Sequence, residues 1–141
     1  MIAIASDHAG FERKQQVCKW LEKNGYKFID LGTNSNQSVD YPLFAQAVAE
    51  KIKNGECEKG ILICGSGIGM SIKVNRNKGV RGALCLNKTM ATLSRQHNNA
   101  NVLCMPARKF CFFKTKSILK AFLTTEFSGG RHERRVQMLD E

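Results

Sequence analysis

The sequence predicts an α/β fold in which a mainly parallel sheet of five strands has helices on both faces. Three observations lead to this prediction. Apolar runs of strand length alternate along the chain with segments in which apolar residues recur at helical spacing. The run at 61–63 is apolar at every position and is flanked by glycine, as in a strand buried on both faces. The alternating helical segments also supply the crossovers that parallel strands require.

The first half of the chain contributes two strands and two helices. Residues 1–5 form the first predicted strand. Apolar residues at helical spacing over 11–21 predict the first helix, which the Asn-Gly pair at 24–25 ends. Residues 26–31 form the second strand, and a polar loop follows. Pro42 then begins the second helix, because proline is favoured at a first helical position.

The second half continues the alternation and ends with two helices in succession, separated by the pair Gly129-Gly130. Its predicted segments are, in order, the strand at 61–63, a helix at about 67–75, a strand at 82–86, a helix from 87 or 88 to 97, a strand at 101–105, and helices at 110–122 and 131–139. No linker or repeat divides the sequence, so we expect a single domain over 1–141.

Composition restricts the class of protein further. Hydrophobic residues make up 43% of the 141 residues and only two prolines occur, which is enough apolar material for a real core. The N-terminus lacks the features of a signal peptide, and no apolar run approaches membrane-spanning length. The six cysteines and three histidines are scattered along the sequence, and no two cysteines form a C-x-x-C pair. We therefore expect a cytoplasmic, reduced protein with no metal, no cofactor and no membrane partner.

The net positive charge of the chain is compatible with two kinds of acidic partner. The formal net charge is +10, which fits a nucleic acid or an acidic small ligand. The lysines are dispersed along the sequence, and no nucleic-acid recognition motif is present. Residues 108–135 carry eight Lys and Arg against two Glu, which fits a pocket for a phosphorylated small molecule as well as a nucleic-acid face. We expect the small molecule and no nucleic acid, and a binding module stays as an alternative.

The most informative stretch is a glycine turn at 64–70, CGSGIGM, directly after the third strand. Its glycines alternate with Ser66 and Ile68, a layout in which backbone N–H groups converge on an anion. The stretch is not a complete dinucleotide fingerprint, a nucleotide P-loop or a nucleophile elbow. Cys64 places a thiol beside the turn, which predicts chemistry at this point. The alternative is an ordinary tight turn in which Cys64 is a small buried hydrophobe.

Asp7 and His8 follow the first predicted strand as Cys64 follows the third. Ligands of parallel sheets bind beyond the carboxyl ends of the strands. We therefore expect these three side chains to share one crevice. The alternatives are that Asp7 only caps the next helix and that His8 is an ordinary surface histidine.

The sequence alone does not decide the roles of four further polar residues. His97 lies at a predicted helix end, where it either interacts with the helix dipole or serves a site. Arg131 and Arg135 lie four apart on one helical face, a repulsion of about 0.2–0.5 kcal/mol that a shared phosphate would offset. A solvated helix face explains this pair equally well. Arg108 is consistent with an exposed loop residue.

Five stretches, together spanning nearly the whole chain, resemble one known family. They are residues 6–11 (SDHAGF), 39–42 (VDYP), 64–70 (CGSGIGM), 95–103 (RQHNNANVL) and 129–136 (GGRHERRV). In order and spacing they resemble the type B ribose-5-phosphate isomerases, a family that also includes galactose-6-phosphate isomerase subunits and allose-6-phosphate isomerases. The resemblance implies a Rossmann-like α/β/α sandwich and a metal-free interconversion of ribose 5-phosphate and ribulose 5-phosphate in the non-oxidative pentose phosphate pathway.

The resemblance also implies roles for the residues at matching positions. Cys64 matches the base that moves the proton between C2 and C1, and His97 matches the acid that opens the furanose ring, with Asp7 assisting. Ser66 matches the hydroxyl that helps to move a proton between O1 and O2. The amides that match the hole for the cis-enediolate belong to Gly65, Ser66, Gly67, Ile68 and Gly69. The positions that match sugar-phosphate contacts are His8, Asn98, Arg108, Arg131 and Arg135.

The family further implies a homodimer, sometimes a tetramer, with active sites shared across the interface. In that arrangement His97, Asn98 and Arg108 come from the partner subunit. One departure from the family pattern is Pro106, which stands in an approach to Arg108 that usually contains glycine. The alternatives are a six-carbon sugar-phosphate isomerase, for allose 6-phosphate or galactose 6-phosphate, and a non-catalytic sugar-phosphate binding module.

Overall fold

A computed structural model describes all residues, 1–141, and its strands form one parallel sheet. The strands are β1 (Ile2–Ser6), β2 (Phe28–Asp30), β3 (Lys59–Cys64), β4 (Gly82–Leu84) and β5 (Val102–Pro106). Their order across the sheet is β2-β1-β3-β5-β4. The predicted α/β fold with a five-stranded parallel sheet and helices on both faces is confirmed.

Six helices connect and follow the strands. They are α1 (Phe11–Lys23), α2 (Tyr41–Lys53), α3 (Ile68–Val74), α4 (Lys88–Gln96), α5 (Phe112–Thr124) and α6 (His132–Leu139). Helices α1, α4 and α5 bury apolar side chains on one face of the sheet, and α2 and α3 do so on the other. None of the helices is long and apolar enough to span a membrane.

The two cores follow from the alternation of side chains along the strands. In β1, Ile2 and Ile4 face the α1, α4 and α5 layer, whereas Ala3 and Ala5 face α2 and α3. The same alternation runs through β3 and β5, where every residue from 60 to 64 and from 102 to 106 is buried. Strands buried on both faces read as continuous apolar runs, which explains why these segments were predictable.

The two edge strands are shorter than the sequence predicts. Residues 26–31 and 82–86 were expected to be strands, but β2 and β4 each contain only three residues. Each of them pairs with a single neighbour, β1 or β5, so fewer ladder hydrogen bonds hold their ends. The central strands β1, β3 and β5 have five, six and five residues. The carboxyl ends of these central strands carry the candidate site.

Candidate active site

The candidate base, Cys64, is the last residue of β3 and lies in the middle of the sheet. Its side chain is buried, and its Sγ accepts the N–H of Gly67 at 3.1 Å. Burial raises the pKa of the Cys64 thiol, the backbone N–H groups of Met70 and Gly67 lower it, and the charge of Asp7 raises it again. The net direction is upward. The turn therefore holds N–H groups ready to stabilise a thiolate, while the apolar surroundings keep the resting thiol protonated.

The glycine turn owes its shape to Gly67. This residue has φ of 78°, in the left-handed region, and directly precedes α3. An added Cβ would lie 2.6 Å from Leu84 Cδ1 and 3.0 Å from the carbonyl carbon of Met105. Only glycine satisfies both the backbone angle and the close approach to β5. Ser66 and Ile68 on either side are exposed, so the turn opens to the solvent at the carboxyl edge.

Asp7 and His8 lie at the same edge, as the sequence predicts. Asp7 is 7% exposed, and its N–H donates to the carbonyl of Ile63 in the neighbouring strand at 3.2 Å. Its Oδ1 accepts the N–H of Gly10 at 3.0 Å, so the carboxylate also holds the turn that leads into α1. The Nδ1 of His8 accepts the N–H of Val39 at 3.2 Å. In neutral His8 the proton is therefore on Nε2, where it is available as a donor.

Arg108 belongs to this group within its own chain. Its N–H donates to the carbonyl of Gly65 at 3.1 Å, and its guanidinium carbon lies 3.1 Å from the position that a Cβ on Gly65 would occupy. Arg108 therefore lies beside the turn of its own chain, whereas the resemblance implies that the partner subunit supplies it. Pro106 pairs with Cys64 across β5 and β3, and Ala107 donates to the carbonyl of Cys64 at 2.9 Å. This register and the two backbone hydrogen bonds fix the chain from Pro106 to Arg108 beside the turn.

Tyr41 is a residue at this edge that the sequence reasoning missed. Its ring packs over Gly69, where an added Cβ would lie 2.5 Å from Tyr41 Cζ and 2.7 Å from its hydroxyl oxygen. The side chain is 39% exposed at the start of α2, so the phenol borders the open side of the turn. The only signal was its position inside the VDYP stretch, next to Pro42.

The remaining candidate residues lie beyond the amino ends of the strands, which we call the amino edge of the sheet. His97 caps the C-terminus of α4, which runs back from the carboxyl end of β4. The adjoining Asn101 accepts the N–H of Gly60 at 2.8 Å, four residues before Cys64 on β3. Four residues of strand span about 13 Å. His97 therefore lies near the amino ends of the strands, whereas Cys64 lies at the carboxyl end of β3.

Two sets of contacts fix the end of α4, where His97 lies, and the loop that follows it. The guanidinium of Arg95 donates to the carbonyls of Ala100 at 2.5 Å and Thr125 at 3.1 Å, which fixes the loop after α4. The ring of His97 also stacks on His132, the first residue of α6, with centroids 4.3 Å apart and an interplanar angle of 14°. The structure thus fixes both the loop and the plane of the imidazole.

Arg131 and Arg135 accompany His97 because both belong to the α6 region. Arg131 caps α6 next to His132, and both arginines are exposed. Desolvation lowers the pKa of His132, and the charges of His97, Arg131 and Arg135 lower it further. Asn98 is also exposed here, at the rim of a cavity of about 600 Å³ between the loop after α3 and the end of α6. No predicted acid–base group lines this cavity, so the chemistry points instead to the turn at Cys64.

The site residues therefore form two separate groups in one chain. The carboxyl-edge group provides a thiol, a ring of backbone amides, a carboxylate and Arg108. The amino-edge group provides an imidazole and two further cations, and it does not reach the first group within the chain. No three His, Cys, Asp or Glu side chains are grouped so that they could hold a metal ion.

Comparisons with known proteins define the relatives of this chain. A family model described as Ribose/Galactose Isomerase matches residues 2–139. Ribose-5-phosphate isomerase B of Escherichia coli is 41% identical over 98% of this chain and 93% of its own length. The solved ribose 5-phosphate isomerase of Thermotoga maritima is 50% identical, with a TM-score of 0.97 over 99% of this chain and 96% of that one.

A further solved relative contains a sugar phosphate. Ribose-5-phosphate isomerase B of Mycoplasma genitalium, determined with bound ribulose 5-phosphate, is 42% identical with a TM-score of 0.93, covering 98% of this chain and 92% of its own. The match thus extends over both edges of the sheet and both groups of candidate residues. The chain therefore belongs to the ribose/galactose isomerase family, together with proteins named ribose-5-phosphate isomerase B, and is a sugar-phosphate isomerase.

Proposed function

We propose that the chain interconverts D-ribose 5-phosphate and D-ribulose 5-phosphate as a homodimer with shared active sites. One observation carries the proposal: a buried thiol at the end of the central strand, with the N–H of Gly67 directed at its sulfur at 3.1 Å. An aldose–ketose isomerase needs a base for a carbon acid and donors for the oxyanion that develops. Cys64 and the amides of the glycine turn meet both requirements in one loop.

The proton transfer runs through Cys64. As a thiolate it takes the proton from C2 of the open aldose, which gives a cis-enediolate whose negative charge the amides of residues 65–69 stabilise. The thiol then returns the proton to C1, while the Ser66 hydroxyl carries a proton between O1 and O2. The raised pKa of Cys64 makes its thiol a good donor for the return step and leaves a small thiolate fraction at neutral pH. The Nε2–H of His8 and the phenol of Tyr41 border the same space.

Ring opening and phosphate binding require the second group of residues. Because His97 and Cys64 lie at opposite edges of one chain, the acid that opens the furanose is His97 of the partner subunit, with Asp7 assisting. Asn98, Arg131 and Arg135 of the partner subunit accompany it, and Arg108 of the first chain completes the phosphate site. The phosphate supplies binding energy away from the reacting carbons. Each dimer then holds two such sites, and a tetramer would pair two dimers.

The cellular setting follows from the substrate and the cysteines. All six cysteines are free, five of them buried, as in proteins of reducing compartments. We assign the activity to the cytoplasm and to the non-oxidative pentose phosphate pathway.

A second candidate function is the isomerisation of a six-carbon sugar phosphate on the same residues. The family description, which covers galactose as well as ribose isomerases, is the observation that favours it. For allose 6-phosphate or galactose 6-phosphate, the site must accommodate one more carbon between Cys64 and the arginines that bind the phosphate.

A turnover assay on three sugar phosphates tests the proposal. Ribose 5-phosphate should give the highest kcat/KM, ahead of allose 6-phosphate and galactose 6-phosphate. Cys64→Ala should lower kcat by several orders of magnitude with little change in KM, because only the base is lost. Cys111→Ala, which removes the exposed thiol, is the matched control and should behave as wild type. A Cys64→Ala enzyme with wild-type kcat excludes the thiol as the base, and a preference for allose 6-phosphate establishes the second candidate.

A further inference from the structure

Two adjoining clefts lie between α1 and α5, apart from every residue of the isomerase site. Their volumes are about 310 Å³ and 380 Å³, and Trp20 and Lys116 line both. Two lysines from each helix line the clefts, and they are Lys19, Lys23, Lys116 and Lys120. We call these four lysines together with Trp20, Phe112 and Phe113 the lysine–aromatic face. Its members are separated by about a hundred residues of sequence and meet only in the fold.

The four lysines of this face form no ion pair within the chain. No Asp or Glu lines either cleft. None of the four lysines takes part in the ion pairs of the structure, which involve Lys14, Lys51, Lys53 and Arg81. Helix α5 contains no acidic residue over its whole length. Four like charges gathered without a partner attract an external polyanion.

Aromatic rings are interleaved with these charges. Phe113 is 78% exposed, more than any other large hydrophobic side chain of the protein. The Nζ of Lys116 lies 5.6 Å from the ring centroid of Phe112 and 6.0 Å from that of Phe113. Trp20 and Phe112 are half-buried and form the apolar parts of the clefts. The rings of Phe112 and Phe113 thus each lie beside a cation, and the ring of Trp20 stacks on Tyr26.

We propose that the lysine–aromatic face binds single-stranded nucleic acid. The lysines would neutralise phosphates along the strand, and unpaired bases would stack on Phe113 and in the clefts at Trp20 and Phe112. Base–aromatic stacking beside a basic groove is the general mode of sequence-tolerant single-strand binding. A duplex fits less well, because its bases are not free to enter the clefts. A membrane surface also fits less well, because only Phe113 protrudes far enough to insert.

Fluorescence anisotropy with a labelled oligothymidylate of about 12 nucleotides tests this proposal on the wild-type protein. With four phosphate contacts, the logarithm of the binding constant should fall with the logarithm of salt concentration with a slope of about −3. Lys116→Gln combined with Lys120→Gln should reduce that slope by about half. Phe113→Ala should weaken binding about tenfold and leave the slope unchanged, because it removes stacking and no charge.

The controls separate this face from total charge and from the isomerase site. Lys53→Gln with Lys73→Gln makes the same charge change on α2 and α3, on the other side of the sheet, and should leave the slope unchanged. All variants should keep wild-type isomerase turnover, which shows that they are folded. Equal effects of the two lysine pairs, displacement of the oligonucleotide by ribose 5-phosphate, or equally tight binding of a duplex of the same length would each overturn the proposal. Binding to anionic vesicles without binding to the oligonucleotide would assign the face to membranes instead.

Discussion

Replacing Gly67 by alanine tests whether the glycine turn is fixed by close packing as well as by backbone angle. The left-handed conformation, with φ of 78°, costs a residue with a Cβ about 1–2 kcal/mol. The new methyl group would also lie 2.6 Å from Leu84 Cδ1 and 3.0 Å from the backbone of Met105. Overpacking of this kind costs about 1–3 kcal/mol. We expect the free energy of unfolding to fall by about 2–5 kcal/mol, measured by urea denaturation at fixed protein concentration.

Gly79 provides a matched control for this change. Its φ is 79°, almost the same as that of Gly67, but nothing lies within 4 Å of an added Cβ. Gly79→Ala should therefore show the backbone cost alone, about 1–2 kcal/mol, with normal turnover. Gly67→Ala should in addition lower kcat, because the N–H that faces Cys64 Sγ moves with the turn. Equal losses of stability in the two variants, or normal kcat in Gly67→Ala, would refute this account of the turn.

Three further predictions concern the acid, the phosphate site and the thiol. His97→Asn should slow turnover of cyclic ribose 5-phosphate far more than exchange of the C1 hydrogen of ribulose 5-phosphate with D₂O, which needs no ring opening; equal losses would remove His97 from that role. Arg135→Gln should raise KM about tenfold to a hundredfold with kcat nearly unchanged, whereas the neighbouring Arg134→Gln should not; a loss in kcat alone would contradict a phosphate contact. Because the pKa of Cys64 is raised, its alkylation by iodoacetamide, followed by mass spectrometry, should still accelerate above pH of about 8.5; a rate already at its maximum at pH 7 would contradict the raised pKa.

Much of the fold was predictable because the local patterns agree with the global arrangement. The buried runs of β3 and β5 and the helical spacing of α1 each specify their own element. The position of the turn at 64–70 beside Asp7 was likewise predictable, because parallel strands place their carboxyl ends together. The lengths of β2 and β4 were not predictable, since they depend on having one neighbour instead of two.

The positions of single side chains depended on information that local patterns do not contain. The strand order β2-β1-β3-β5-β4 sets β5 beside β3, and only that register brings Arg108 to Gly65 of the same chain. Tyr41 meets Gly69 because α2 packs against α3, a contact between segments that are distant in sequence. The separation of His97 from Cys64 follows from the direction of α4, which runs back across the sheet. The alternation of strands and helices already implies the direction of α4. That His97 and Cys64 are thereby separated becomes clear only once the strand lengths are known.

The central claim is that each active site combines Cys64 of one chain with His97 of its partner, and subunit exchange tests it most directly. Cys64→Ala and His97→Asn chains, each inactive alone, are mixed under conditions in which exchange is verified by native mass spectrometry. Half of the dimers are then mixed, and each mixed dimer has one of its two sites intact, so activity should return to roughly a quarter of the wild-type value. If mixed dimers form and no activity returns, a site shared across the interface is excluded.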